Sequence, residues 1–541
     1  MANYSNLSAA IAAAIKTNGT QAITGQSLQT ILLSMVAKLG AGYQFGGVVA
    51  PTDGFPTDGG GNKLTDSNWA FLGCTPGKYT DFGNFTLLSG EVAVFLWNGA
   101  WKKQIISYYA NTQVYGVRHN YTASSPDLTR IGSADLHRDL PVQSLMRRCV
   151  VDDLGVVKYY LKADDSTKKE DGTAANLTGA DGMVMVEIPA HYRKCTTDAA
   201  NSYMDVEISL YPFEGAVAVP RYLVSAYEAT IDRSGDTLKL ASVVNSTDAF
   251  RGGNNTADWD GTYRDLRGLP ATNVSLTNFR TYGRNRGTGW GCYDYNAHLA
   301  IYWLFAIEYA TLNSQKAFNA ALTEQGYHQG GLGDGVTNIN STAWGNYNSY
   351  NPFIPCGFTN SLGNATGVKT FEWSEAQAEA YGSSWSTSVP SYRGIENPFG
   401  HINKWTDGFL GVGHTGGDYQ EIYVCRDPQY YASSVNEHYV HFTDHEAAAN
   451  GYCKAIVATD VNGLAQEIRV YGDIFDRDDD GSASTYFCDY HYHTNTEGGV
   501  CGLLVGGYAS LGSYAGLAYF NAVYAPSHAY ANIGSRLCWS E

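Results

Sequence analysis

Residues 391–408 read SYRGIENPFGHINKWTDG and set Arg393, Glu396, Trp405 and Asp407 among glycines and aromatic rings. Charged side chains in such surroundings persist only when they are paired, because an isolated buried charge is very costly. A catalytic role for these four groups is conceivable. A structural network holding a packed core is the reading their composition favours.

Working outward, residues 296–312 (NAHLAIYWLFAIEYATL) are apolar nearly all round and predict a buried helix. A shorter helix is expected over residues 374–381, with Ser374 as its N-cap. Gly/Asn/Ser-rich stretches such as residues 327–351 read as long surface loops. On the C-terminal side, residues 498–535 contain no Asp, Glu, Lys or Arg and are studded with tyrosines at irregular spacing. Tyr offers a large amphipathic surface for two side-chain torsions, and Ser, Gly and Asn adapt their hydrogen bonds to what is bound. The stretch reads as a recognition surface.

The 541 residues suffice for several domains. With 60 glycines, 40 tyrosines and only 16% charged residues, a loop-rich, largely β surface protein is expected. A net charge of −17 argues against nucleic acid as a direct partner, since phosphate binding needs clustered Lys and Arg. The N-terminus lacks the basic region and apolar core of a secretory signal. Asn521, Pro526 and His528 make the uncharged C-terminal run a poor membrane span. The ten cysteines include no CxxC pair, which fits reduced thiols better than a disulfide framework.

Residues 1–41 predict two short helices, with stripes Leu7, Ile11, Ile15 and Leu28, Leu32, Met35, Leu39. Neither is long enough to stand alone, so they pack on each other, on sister chains or on a larger assembly. Residues 42–111 predict a small β domain: a strand over 91–96, a tight turn at Trp97-Asn98-Gly99, and a returning strand over 101–106. Trp97 and Trp101 could hold a sugar, though cross-strand packing is the commoner role of such a pair. Residues 112–541 show no clear internal linker.

Three segments carry a family resemblance: residues 222–230 (YLVSAYEAT), the 391–408 stretch, and Val505-Gly506-Gly507 with Ile533-Gly534-Ser535-Arg536-Leu537-Cys538. Together they resemble the C-type lectin fold of the formylglycine-generating-enzyme type. The resemblance implies an α+β fold whose lectin domain, with long loops, spans residues 112–541 after the helical segment and the small β domain. The same ending resembles the variable proteins of diversity-generating retroelements, in which adenines of AAY codons are randomised. Such codons cannot become Lys, Glu, Gln, Met or Trp, and none of these occurs between Gly498 and Arg536. The implied variable segment is residues 500–538. Its implied ligand-binding residues are Tyr508, Ala509, Ser510, Leu511, Tyr514, Tyr519, Asn521, Val523, Tyr524, His528 and Tyr530. The N-terminal hundred or so residues are similar to the start of phage tail-fibre proteins. The expectation is therefore a receptor-binding adhesin of the virion, made in the host cytoplasm. It would be a homotrimer attached to tail or baseplate proteins, with a host surface protein or glycan as ligand and neither nucleic acid nor membrane as partner. A formylglycine-generating-type oxidase and a purely structural tail component are the alternatives.

Chemistry elsewhere is sparse. The oxidase reading requires two thiolates at copper-ligand spacing, and the closing segment offers only the distant Cys501 and Cys538, so no catalytic residue and no redox cofactor are expected. Asp476, Asp478 and Asp480 before Gly481 match the first half of a calcium loop. Phe487 stands where an EF-hand would place its bidentate Glu. Calcium is the one candidate cofactor, against a solvated acidic turn. Asp489, His491 and His493 alternate and could share a strand face around a metal; strand histidines satisfied within the fold are the commoner outcome.

Overall fold

The computed structural model describes residues 43–57, 62–63, 65, 68–73, 75, 77–87, 93–105, 113–120, 122–198, 203–415, 419–446, 450–452, 481–494 and 496–540. The helical segment expected over residues 1–41, and Asp476, Asp478 and Asp480, lie outside the described residues. The chain divides into two compact units: Met1–Val114 with Ser209–Gly215, and Tyr115–Ile208 with Ala216–Glu541. Among the described residues strands far outnumber helices, and no helix is long and apolar enough to cross a membrane.

The first unit holds a four-stranded sheet in the order Gln44–Val49, Trp69–Gly73, Ala93–Trp97, Trp101–Ile105. Trp97 pairs directly with Trp101, so the hairpin loop has three residues, with Gly99 in the left-handed region at φ +91°. A three-residue loop, Asn98-Gly99-Ala100, with the left-handed glycine at its centre replaces the tighter turn expected there. The two indoles lie 5.3 Å apart and both pack on Phe55, which is cross-strand packing.

The second unit is built on two large sheets. One contains β1 (Tyr222–Ser225) and, at its C-terminal end, β7 (Leu537–Ser540), which pairs with β1 and with Trp290–Cys292. The other is centred on β2 (Asn403–His414), which lies between Tyr419–Val424 and β4 (Val500–Gly506), with β5 (Gly516–Asn521) and then β3 (Tyr490–Tyr492) beyond β4, and β6 (Ile533–Ser535) parallel to β2. Between them lies a core that includes Leu223, Leu276, Trp290, Trp405, Leu504 and Leu537.

Helix α1 (Leu276–Arg284) presents Arg280 to β2, where its guanidinium binds Asp407 in a two-pronged pair at 2.6 and 2.9 Å. Helix α2 (Tyr295–Tyr309) is buried at every residue. Asp294 caps it by accepting bonds from the backbone of Asn296 and Ala297 at 2.7 and 3.1 Å. The helix stops before the expected Leu312 because Ala310 turns left-handed. Its one acid, Glu308, is fully buried and is held by Arg393 at 2.7 Å and by the Tyr392 hydroxyl at 3.1 Å. Glu396 instead accepts from the backbone of Gly357 and from Thr359. The charges of the 391–408 stretch thus serve several buried pairs rather than one cluster.

Residues 327–351 are not wholly loop. Helix α3 (Ser341–Asn348) forms there, capped by Asn340, and buries Trp344 and Tyr347 on one face. Two aromatics three positions apart supply the apolar face that the surrounding polar residues conceal. Ser374 does cap a helix, α4 (Glu375–Tyr381), through a reciprocal capping box with Gln377.

Candidate recognition face

Three distant segments meet beneath the C-terminal strands. Glu228 is fully buried between His401, whose Nδ1 lies 2.5 Å away, and Lys404, whose ammonium lies 2.9 Å away. Burial alone would push the Glu228 carboxyl up, but Lys404 and His401 outweigh it and hold it down at about 2. Burial in turn lowers Lys404 to about 8. His401 Nε2 accepts from the backbone of Phe353 and Ile354, so its proton sits on Nδ1, facing Glu228. Arg536, also fully buried, donates to the carbonyls of Ser225 at 3.1 Å and Asn397 at 2.6 Å, and to that of Glu396. Residues 222–230, 391–408 and the closing strands are thereby tied into one polar knot.

Above this knot, β4 ends at Gly506, which with the following Gly507 lies in the left-handed region at φ +85° and +75°. A side chain on Gly507 would come within 2.8 Å of Ala515 Cβ, so this sharp turn requires glycine. The connection to β5 is pinned by its backbone. Ala509 N–H donates to His401 O, Ala509 O accepts from Ile339, and Gly512 N–H donates to Thr337 O, at 2.9–3.0 Å. The second connection is held in the same manner: Gly502 and Asn273 donate to the carbonyls of Tyr524 and Tyr530. Fixed main chain with projecting side chains is the arrangement a recognition surface needs.

The side chains then divide. Tyr514 and Tyr530 are exposed at 38% and 47%. Tyr508, Ser510, Leu511, Val523, Tyr524 and His528 are half-buried. Ala509 and Asn521 are buried, and Tyr519 is only 1% exposed. These three are corrections to the expected set of ligand contacts. Tyr519 lies on β5 pointing inward, with its hydroxyl bonded by the Asn521 amide at 3.3 Å, and Ala509 is the anchor of its loop.

The accessible rings form two groups. Tyr524, His528 and Tyr530 stack together, with ring centres 4.6 Å apart for Tyr524–His528 and 4.2 Å for His528–Tyr530. Tyr514 stacks on Tyr490 at 4.3 Å and meets Tyr452 edge-on at 5.7 Å, while Tyr490 in turn contacts Tyr492 at 4.7 Å. Tyr508 links the groups and rests on Trp344, which also meets the exposed Tyr350. The Tyr508 phenol is raised by burial and then by Tyr524 and Tyr350, and that of Tyr492 by burial and then by Tyr490, Tyr508 and Tyr514. Both shifts favour the neutral phenol. Burial lowers His528, which favours its neutral form.

Tyr350, Tyr452, Tyr490 and Tyr492 were not anticipated. Residues 489–493 alternate, and the signal was present in that alternation. Asp489, His491 and His493 are the buried set, with the two imidazoles 5.0 Å apart and His493 stacked on Phe520. The tyrosines between them are the outward set. Burial pushes the Asp489 carboxyl well up, and it accepts from the Ala518 backbone at 2.8 Å. Among the described residues no group of three or more His, Cys, Asp or Glu is placed to hold a metal ion. Cys501 faces Gly411 across β4 and β2, while Cys538 lies in the other sheet opposite Val224 and Gly291.

No family model matches the chain, and no curated protein matches it. Two solved structures are similar in outline, the Major Tropism Determinant U1 and P3c variants. Each is 11% identical, with a TM-score of 0.23, over 83% of this chain and 81% of theirs. That similarity is too low to transfer fold or function.

Proposed function

We propose that this chain is a receptor-binding protein of phage tail-fibre type that presents a diversified, tyrosine-rich face on a scaffold of C-type lectin kind. The observation that carries this reading is the contrast within residues 498–535. The main chain there is pinned to buried polar groups, while uncharged aromatic side chains project into one band with Tyr350, Tyr452, Tyr490 and Tyr492. Such a face binds by shape, stacking and phenolic hydrogen bonds, and the scaffold need not move when side chains change. Diversification would act on Tyr508, Ser510, Leu511, Tyr514, Val523, Tyr524, His528 and Tyr530. Tyr452, Tyr490 and Tyr492 would be a constant floor. The reading includes a homotrimer held to tail or baseplate proteins through residues 1–41, so that several weak sites act together. The ligand is a host surface protein or glycan, and the role is binding rather than catalysis.

The test is adsorption of the full chain to intact bacterial cells. Wild type should bind one host strain saturably, and a Tyr490→Ala, Tyr514→Ala double variant that melts like wild type should lose at least tenfold in affinity. Equal binding by the double variant would reject the face. For the diversification clause, the neighbouring DNA should hold a near-copy of the codons for residues 500–538 that differs at adenines, beside a reverse transcriptase gene.

A further inference from the structure

Beside α3, against Tyr347 and Asn348, lies a cavity of about 210 Å³ that is open to solvent. Its walls include the rings of Tyr263, Tyr347, Phe353 and Phe371, and its polar lining includes Arg264 and Asn348. Asn348 is 2% exposed. Its amide nitrogen donates to the carbonyls of Asn351 and Pro352, at 2.8 and 3.4 Å, which fixes the orientation of the amide. The Asn348 Oδ1 then has no hydrogen-bond partner among the described residues. A buried acceptor without a donor is unfavourable unless something bound supplies one.

Arg264 is the second unsatisfied group. Its guanidinium packs over Trp259 and Tyr263, with centres 5.4 and 5.2 Å away, and one Nη donates to Asn346 O at 3.2 Å. Among the described residues its buried Nε has no hydrogen-bond partner, and no carboxylate forms an ion pair with it. The neighbouring Asp265 is taken by Arg267 at 2.5 Å and by the Gly261 backbone. In a chain of net charge −17, an unpaired arginine at an aromatic-walled cavity is an unusual asset. It selects an anion, in a space that suits one small ring rather than the several hundred Å³ of a drug-sized ligand.

We propose that this cavity binds a single acidic pyranose, a sugar ring carrying a carboxylate. The carboxylate meets Arg264, a ring hydroxyl donates to Asn348 Oδ1, and the C–H surface of the ring lies against the aromatic wall. Of the other polar groups lining the cavity, Asp265 is paired with Arg267, and the Tyr347 hydroxyl donates to Tyr263 O at 3.1 Å and accepts from Gln377 at 3.0 Å.

The experiment is saturation-transfer NMR on the full chain with methyl glucuronide, methyl glucoside and acetate as separate probes. Methyl glucuronide should show saturable transfer. Methyl glucoside, which lacks the carboxylate, and acetate, which lacks the ring, should each bind at least tenfold more weakly. Arg264→Gln should reduce glucuronide binding at least tenfold at unchanged melting temperature, because the guanidinium makes a single hydrogen bond among the described residues. Tyr514→Ala, on the aromatic band, should leave glucuronide binding unchanged, so this site can fail or stand separately from the recognition face. No transfer to wild type, equal transfer to glucoside or to acetate, or undiminished binding by Arg264→Gln would each overturn the proposal.

Discussion

Tyr514 and Tyr519 are five positions apart in a run that looks uniform, yet they belong to different parts of the molecule. Tyr514 stands 38% exposed at a loop tip, whereas Tyr519 is 1% exposed on β5. Tyr514→Ala should therefore weaken ligand binding by about 1–3 kcal/mol, in the range of an interface anchor, and barely alter stability. Tyr519→Ala should cost about 3–5 kcal/mol of folding, as truncation of a large buried ring does. Urea denaturation with a parallel binding titration separates the two, and matching stability losses would mean the face has been placed wrongly. Their difference was not legible in sequence, because strand direction depends on register and irregular spacing hides the register. The same is true of Asp489–His493, where the alternation was visible but not which set faced inward. A second residue-scale expectation concerns His298. Its Nε2 donates to Leu517 O at 2.9 Å and its Nδ1 faces the Tyr293 hydroxyl at 3.1 Å. Burial lowers it to about 3, assisted by Lys404 and Arg536 against the Leu517 bond. As pH falls through 6.5 the unfolded chain takes up a proton that the folded chain refuses until about pH 3. Folding should lose about 1.4 kcal/mol per pH unit from this group in that window. In His298→Gln that share disappears, so the stability curves of the two proteins should converge on acidification. Curves that stay parallel would refute the assignment.

At the scale of elements, helix α2 was the plainest sequence signal, since a long run that is apolar on every face folds only by being buried on every face. Its ending was less plain. Ala310 and the pair of Glu308 with Arg393 settle it, and the partner lies some eighty positions away. Helix α3 was missed for the opposite reason: Gly, Asn and Ser dominate its composition, and two aromatics carry most of its burial. The hold of the 391–408 stretch on α2 predicts a specific weakness. Arg393→Ala leaves the buried Glu308 carboxylate without its guanidinium partner, which should cost about 3–5 kcal/mol. Pairing it with Glu308→Gln should recover part of that loss, because the uncompensated charge is gone. A double variant no more stable than Arg393→Ala would show that the pair contributes through packing alone.

Across the whole second unit, the segments that looked distinctive in sequence are those that converge on Arg536 and Glu228. Their partners are separated by as many as 311 positions, and no local pattern could pair them. Arg536 has no exposed atom to gain from water, and its bonds go to carbonyls on two other segments. The knot therefore tests whether scaffold and face are separable. Arg536→Met keeps apolar volume but strands those carbonyls and removes the cation near Glu228, and it should destabilise the chain by about 3 kcal/mol or more. Arg536→Lys should recover little, since one ammonium cannot span the three acceptors in the planar geometry of a guanidinium. Tyr530→Ala, only a few positions earlier but 47% exposed, should stay within about 0.5 kcal/mol of wild type. Chemical denaturation of the three variants decides the matter. If Tyr530→Ala unfolds as early as Arg536→Met, the exposed rings are supporting the fold, and the freedom of the face to vary without disturbing the scaffold is lost.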